Sequence, residues 1–190
     1  RMEAADCVRN YKALANVEQF LADPATFALF NCMGTPMIDA MLPKVVESGI
    51  PFFAPFTGAQ LSRTKARSVF NIRASYADEA EAIVNQIVAL GLKNIAVFYQ
   101  NDGFGKSGLE GVTNALKRAN LAPIAVGTVE RNSLDVAKAV ESISKTTPQA
   151  VVMVTLYKPT AAFVKAMKQI GQFPMFLTLS PVGGEVLAQE

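Results

Sequence analysis

The stretch "KNIAVFYQNDGFGKSG", Lys93–Gly108, decides the fold. It opens on an apolar run, turns through glycines, and continues into a segment where Leu109, Val112 and Leu116 recur at helical spacing. That is a strand, a turn and a helix. The turn ends in Gly-Lys-Ser, which poses a choice between a phosphate cradle and another kind of loop. A P-loop needs a further glycine, five positions ahead of the Gly-Lys-Ser glycine, so that backbone N–H groups wrap the phosphates. Counting back from Gly105 reaches Gln100, and the test fails. Gly103, Gly105 and Gly108 nearly match the dinucleotide pattern G-x-G-x-x-G. The acidic residue that should close the next strand falls at Glu130, an imperfect match, and a lone glycine pattern is weak evidence.

The same alternation extends both ways along the chain. Ala4, Val8, Tyr11, Leu14, Val17 and Leu21 fall at helical spacing. "TFALFNC" reads as a strand, and Thr35-Pro36 opens a helix to about Ser48, with Pro36 suited to the first helical position. "IPFFAPF" is a second strand and "SVFNIRAS" a short strand or extended crossing. A helix follows over Asp78–Leu90, and another over Gly105–Ala119 after the strand "KNIAVFYQ". Then come the strand "LAPIAVGTVE" and a helix capped by Ser133 that buries Val136, Val140 and Ile143. "QAVVMVTL", a helix over Pro159–Gly171, and "PMFLTLS" complete the series. Strands alternating with helices of this length predict an α/β fold with a parallel sheet. The strands are apolar throughout, as expected where helices cover both faces. The polar, basic stretch Thr57–Ser75 is the best candidate for a boundary between two lobes.

Composition removes several function classes. The 190 residues carry a net charge of +2 and 51% hydrophobic residues. The chain can bury a core, and its scattered charge gives no sign of a nucleic-acid or membrane-surface partner. No apolar run reaches the ~20 residues of a membrane-spanning helix, so direct membrane insertion is not expected. There is no histidine, which excludes Ser-His-Asp and Cys-His catalysis and histidine-ligated metals together. No catalytic residue, metal or cofactor is expected.

In parallel α/β sheets ligands bind beyond the carboxyl ends of the strands. Those ends are "NCMGTP", "PFTGAQ", "YQNDGFGKSG", "VERNS", "TLYKP" and "SPVGG". They are rich in small, hydroxyl-bearing and aromatic residues and poor in catalytic acids or bases. Thr35, Thr57 and Gly58 offer hydroxyls and open backbone N–H groups near helix starts, which suits a carboxylate. Tyr76, Phe104 and Tyr157 offer flat apolar walls. All of these are equally at home as ordinary turn residues; loops nevertheless carry function disproportionately.

Taken in order, "GTPMIDAMLPKVVESGIPFFAPFTGAQL", "VFNIRASYADEAEAIV", "NIAVFYQNDGFGKSGLEGV" and "SPVGGEVLA" resemble the type I periplasmic binding proteins of the Leu/Ile/Val-binding family. The resemblance covers about Cys7 to Gln189. It implies an extracytoplasmic, periplasmic receptor of an ABC importer. It implies two α/β lobes with parallel sheets flanked by helices, hinged, and closing on a small ligand in the cleft between them. The first lobe would be residues 1–75, the second 76–182, and the start of a return segment 183–190. The implied ligand residues are Thr35, Phe56, Thr57, Gly58, Tyr76, Phe104 and Tyr157, with Lys106 facing water. The implied partners are a small-molecule ligand and the importer's permease. Two departures stand out. Where the family's amino-acid binders often place an acid to pair the ligand's ammonium, this chain has Val182. Family members also run to about twice this length, so the resemblance implies an internal fragment whose first lobe is incomplete. A ligand-sensing domain on the same fold, or a nucleotide-using Rossmann-like enzyme, are the competing readings.

Cys7 and Cys32 are expected to pair. A helix of ~15 residues rises ~22 Å and the strand after it returns ~20 Å, which puts both cysteines at one end of the unit. A bridge there would stabilise by about 3 kcal/mol.

Overall fold

The structure is a computed structural model that describes residues 4–190, with side chains described from residue 10 onward. The chain divides into two units, Arg1–Ser75 and Tyr76–Glu190.

The first unit contains α1 (Ala4–Ala22), β1 (Leu29–Phe30), α2 (Thr35–Ser48), β2 (Phe52–Phe53), a 3-10 turn at Gln60–Ser62, and β3 (Val69–Phe70). The three strands are parallel in the order β1-β2-β3, with Leu29 opposite Phe52 and Phe52 opposite Val69. Alternation splits each strand between two faces. Leu29 and Phe52 point into a cluster with Val17 of α1 and Ile38, Met41, Leu42 and Val45 of α2. Phe30, Phe53 and Phe70 form a ladder on the opposite face, with ring centroids 6.0 and 6.1 Å apart. These three rings are exposed. In this unit, then, the described helices cover one face of the sheet, where the apolar strands predicted cover on both.

Its strands are also much shorter than the apolar runs "TFALFNC" and "IPFFAPF". Asn31 (φ 51°) and Ala54 (φ 54°) take left-handed backbone conformations immediately after β1 and β2 and end both strands. One further parallel bridge, Met33 to Phe56, resumes the pairing beyond that break. Cys32 packs half-buried against the apolar cluster and has no disulfide partner among the described residues. The side chain of Cys7, its expected partner, lies outside the described residues.

The second unit contains α3 (Tyr76–Ala89), β4 (Ile95–Gln100), α4 (Gly103–Arg118), β5 (Val126–Val129), α5 (Ala137–Ser144), β6 (Ala150–Val154), α6 (Tyr157–Gln169), β7 (Met175–Thr178), a 3-10 turn at Ser180–Val182 and α7 (Gly184–Leu187). Its sheet is parallel in the order β5-β4-β6-β7. Every residue of β6 is buried, as a central parallel strand requires. One core cluster joins Ala96, Phe98, Val151 and Met153 of the sheet to Val140 and Ile143 of α5 and Phe163 and Met167 of α6. Phe98 and Phe163 stack at 4.2 Å.

The helices α3, α4 and α6 each begin two residues ahead of the expected Asp78, Gly105 and Pro159, and the start of α5 differs in kind. Ser133 closes a turn by accepting from the Asp135 N–H at 3.0 Å, and α5 begins later, at Ala137, without a side-chain cap. The turn forms because a serine hydroxyl reaches the amide two residues on as readily as one at a helix start. Val136, Val140 and Ile143 are buried all the same.

Candidate functional site

The glycine-rich turn after β4 is a packing device. A Cβ at Gly105 would sit 1.8 Å from the Gln100 carbonyl oxygen, and one at Gly108 would sit 2.4 Å from the Val154 side chain. Both glycines let α4 lie directly against β4 and β6. The N-terminus of α4 is already filled. Asp102 is its N-cap, and its Oδ1 accepts from the Gly105 N–H at 3.0 Å. Its Oδ2 accepts from Gln100 Nε2 at 2.6 Å and from Arg131 Nη1 at 3.4 Å. A carboxylate therefore stands where a nucleotide phosphate would have to bind. Lys106 is exposed.

Gln100 and Asp102 are buried, and Arg131 is mostly so. Together they tie the end of β4, the start of α4 and the loop after β5 into one polar cluster. Sequence reading did not single out this trio. The available signal was two polar residues, Gln100 and Asp102, closing an otherwise apolar strand; the partner lies 29 residues on, where only the fold can bring it.

The first unit has the opposite arrangement at its strand ends. The N-cap of α2 is Gly34, at φ 100°, with no side-chain cap, and Pro36 supplies no N–H. The Thr35 and Thr57 hydroxyls meet there at 2.8 Å, and Thr57 Oγ1 also accepts from the Ala59 N–H at 3.1 Å. Thr35, Thr57 and Gly58 are buried, while Phe56 beside them is exposed. The Arg73 guanidinium lies 4.8 Å over the Phe56 ring, a cation–π contact. Arg63 Nη2 donates to the Arg73 carbonyl at 2.5 Å and holds that segment in place.

In the second unit Tyr76 and Phe104 are buried and meet edge to face, with centroids 5.2 Å apart. Tyr157, half-buried, opens α6 and lines a cavity of about 380 Å³ with Gln100, Asn132, Ser133, Leu134 and Leu156. Just behind it the buried hydroxyls of Thr155 and Thr160 pair at 2.5 Å. The structure thus brings Thr35, Phe56, Thr57 and Gly58 to the carboxyl end of the first sheet, beyond β1 and β2. It pairs Tyr76 with Phe104 in the second unit and sets Tyr157 at the cavity. Glu79 of α3 accepts from both the N–H and the hydroxyl of Ser180 at 2.8 Å and fixes the turn that carries Val182, itself buried.

Among the described residues no cluster of His, Cys, Asp and Glu could hold a metal ion. No helix among them is long and apolar enough to cross a membrane.

Comparison with known proteins agrees with this geometry. The family model for periplasmic binding proteins matches residues 9–189. Among solved structures, a "possible leucine/isoleucine/valine-binding protein" from Rhodopirellula baltica SH 1 is 30% identical with a TM-score of 0.88, over 95% of this chain and 50% of that one. A substrate-binding periplasmic protein from Ralstonia solanacearum is 29% identical with a TM-score of 0.86, over 94% and 51% of the two chains. A solute-binding protein of R. palustris in complex with benzoate has a TM-score of 0.84 at 17% identity, over 94% and 51%, and speaks for the fold alone. The chain spans about half the length of these structures. No curated protein sequence matches it. The family and these neighbours are solute-binding proteins and not enzymes. With parallel α/β units, hydroxyl-lined strand ends and a family match across nearly its whole length, this chain belongs to the periplasmic binding protein family.

Proposed function

We propose that the chain is part of an extracytoplasmic, periplasmic receptor of an ABC importer that binds a small carboxylate-bearing ligand, an amino acid, amide or aromatic acid. The observation that carries this reading is the end of the first sheet. There the N-terminus of α2 lacks a side-chain cap and the Thr35–Thr57 hydroxyl pair stands beside it. An uncapped helix start with adjacent hydroxyls favours an anion. A carboxylate that accepts a hydrogen bond from the Thr57 hydroxyl replaces a neutral hydrogen bond by a charge-assisted one, roughly twice as strong. Gly58 adds an N–H without a side chain to obstruct it. Phe56, Tyr76, Phe104 and Tyr157 are the proposed apolar contacts, and the residues to either side of Ser75–Tyr76 the proposed lobes. The permease is the proposed macromolecular partner.

The 30% identity to a protein described as a "possible leucine/isoleucine/valine-binding protein" supports a solute of amino-acid size. The filled N-terminus of α4 argues against a nucleotide. Calorimetric titration of the full-length protein with small carboxylates and with their neutral methyl esters tests the reading. Binding that is lost on esterification is expected. Equal binding of acid and ester, or binding of a nucleotide instead, would refute it.

A further inference from the structure

We infer that the second unit holds a subsite of its own, in which the side-chain oxygen of Gln100 receives an uncharged N–H or O–H of a small ligand, such as a primary amide. Every residue it uses lies in Tyr76–Glu190. The subsite goes beyond the carboxylate reading and does not rest on it.

One buried side chain is the starting point. Gln100 ends β4 and is 2% exposed. It lines the cavity of about 380 Å³ together with Leu134, Leu156, Tyr157 and Pro159. That size falls near the lower end of small-molecule sites, roughly 300–1,000 Å³. The two ends of the Gln100 amide have different surroundings. Its Nε2 donates to Asp102 Oδ2 at 2.6 Å. Asp102 is paired with Arg131 at 3.4 Å, and a carboxylate can only accept. The nitrogen must therefore face Asp102, which leaves the amide oxygen for the cavity. An oxygen at this depth calls for a donor, because an unmet acceptor carries its full desolvation cost.

The network behind Gln100 keeps the amide from turning over. Asp102 is itself held, since its Oδ1 accepts from the Gly105 N–H at 3.0 Å as the N-cap of α4. Arg131, largely buried, reaches it from the loop after β5. Buried ion pairs add little stability over apolar packing. This one acts by fixing an acceptor in one orientation, as a preorganised binding group requires. The walls then select for a neutral donor. Leu134, Leu156, Pro159 and the flat Tyr157 ring make it costly to desolvate a full charge. Lys158 on the lining and Arg131 behind Asp102 disfavour a cation. An amide or alcohol supplies the donor without the charge.

Matched neutral probes test the subsite in the full-length protein: benzamide, and acetophenone, in which a methyl group takes the place of the amide nitrogen. Acetophenone is the more apolar, so burial alone would favour it. Backbone amide signals of isotope-labelled leucine and tyrosine report binding at Leu134, Leu156 and Tyr157. Benzamide is expected to shift these signals and to bind at least about threefold more tightly than acetophenone. Asp102→Asn keeps a capping side chain but adds a donor that the Gln100 oxygen can take, so the amide is free to turn over. In that variant the preference is expected to fall to within about twofold. Equal or tighter binding of acetophenone by the wild type would overturn the inference. So would the absence of a shift at the cavity with either probe, or a preference that survives Asp102→Asn. The wild-type comparison decides by itself if the variant fails to fold. Neither probe is a carboxylate, so the Thr35–Thr57 site stands or falls separately.

Discussion

Gly105 has no room for a side chain, because the Gln100 carbonyl stands where its Cβ would go. Gly105→Ala must push α4 away from β4, and overpacking of this kind costs about 1–3 kcal/mol or more. Urea unfolding should show that loss, while Lys106→Ala, on the exposed neighbour, should stay within about 0.5 kcal/mol. Comparable midpoints for the two variants would contradict the packing role. A second residue, Cys32, is testable through its chemistry. Burial raises its thiol pKa above the ordinary value, outweighing the lowering by a backbone hydrogen bond. The thiolate is the reactive form, so at pH 7–8 it is scarcer than in an exposed cysteine. In a Cys7→Ser variant, Cys32 should label slowly when folded and quickly in denaturant. Rapid labelling of the folded variant would contradict this. Failure of the denatured, unreduced wild type to label until it is reduced would instead establish the bridge to Cys7. At this scale the sequence flagged the right glycines, but their cause was hidden. A Gly-Lys-Ser turn looks alike whether it cradles phosphate or admits a close-packed helix. Asp102, which separates the two, acts through contacts that local spacing does not reveal.

Helices were the most legible elements. Their apolar faces recur every three or four residues, and α2 runs from Thr35 to Ser48 as the Pro36 signal predicts. The two central strands of the second unit, β4 and β6, were legible for a related reason: each is a largely buried apolar run between turn residues. The strands of the first unit were not, because their ends are set by single backbone conformations. Nothing in "TFALFNC" or "IPFFAPF" announces left-handed residues at Asn31 and Ala54. Asn tolerates that conformation, but alanine does not do so cheaply. Ala54→Gly should relieve the strain at φ 54° and raise stability by up to about 1 kcal/mol, less the greater entropy of glycine in the unfolded chain. Thermal or urea unfolding reads the effect directly. A clear loss of stability would mean that the buried Ala54 methyl packs better than its backbone conformation costs.

At the scale of the whole molecule, alternation of strand and helix declared the α/β class, and the missing histidine narrowed the chemistry. The candidate site can be listed from the sequence, because strand ends in a parallel sheet can be read from the order of elements. Its bonding cannot. Thr35 and Thr57 are 22 residues apart and meet only because β1 and β2 are parallel neighbours. The central claim is that this hydroxyl pair, beside the uncapped start of α2, receives a carboxylate. Calorimetry on the full-length protein, comparing wild type, Thr57→Val and Lys106→Ala against a carboxylate that the wild type binds, tests it most directly. Losing a hydrogen bond to a charged group costs roughly 1.5–3 kcal/mol, so Thr57→Val should weaken binding about tenfold or more, with Lys106→Ala unchanged. Unchanged affinity in Thr57→Val, or a loss confined to Lys106→Ala, would contradict the account.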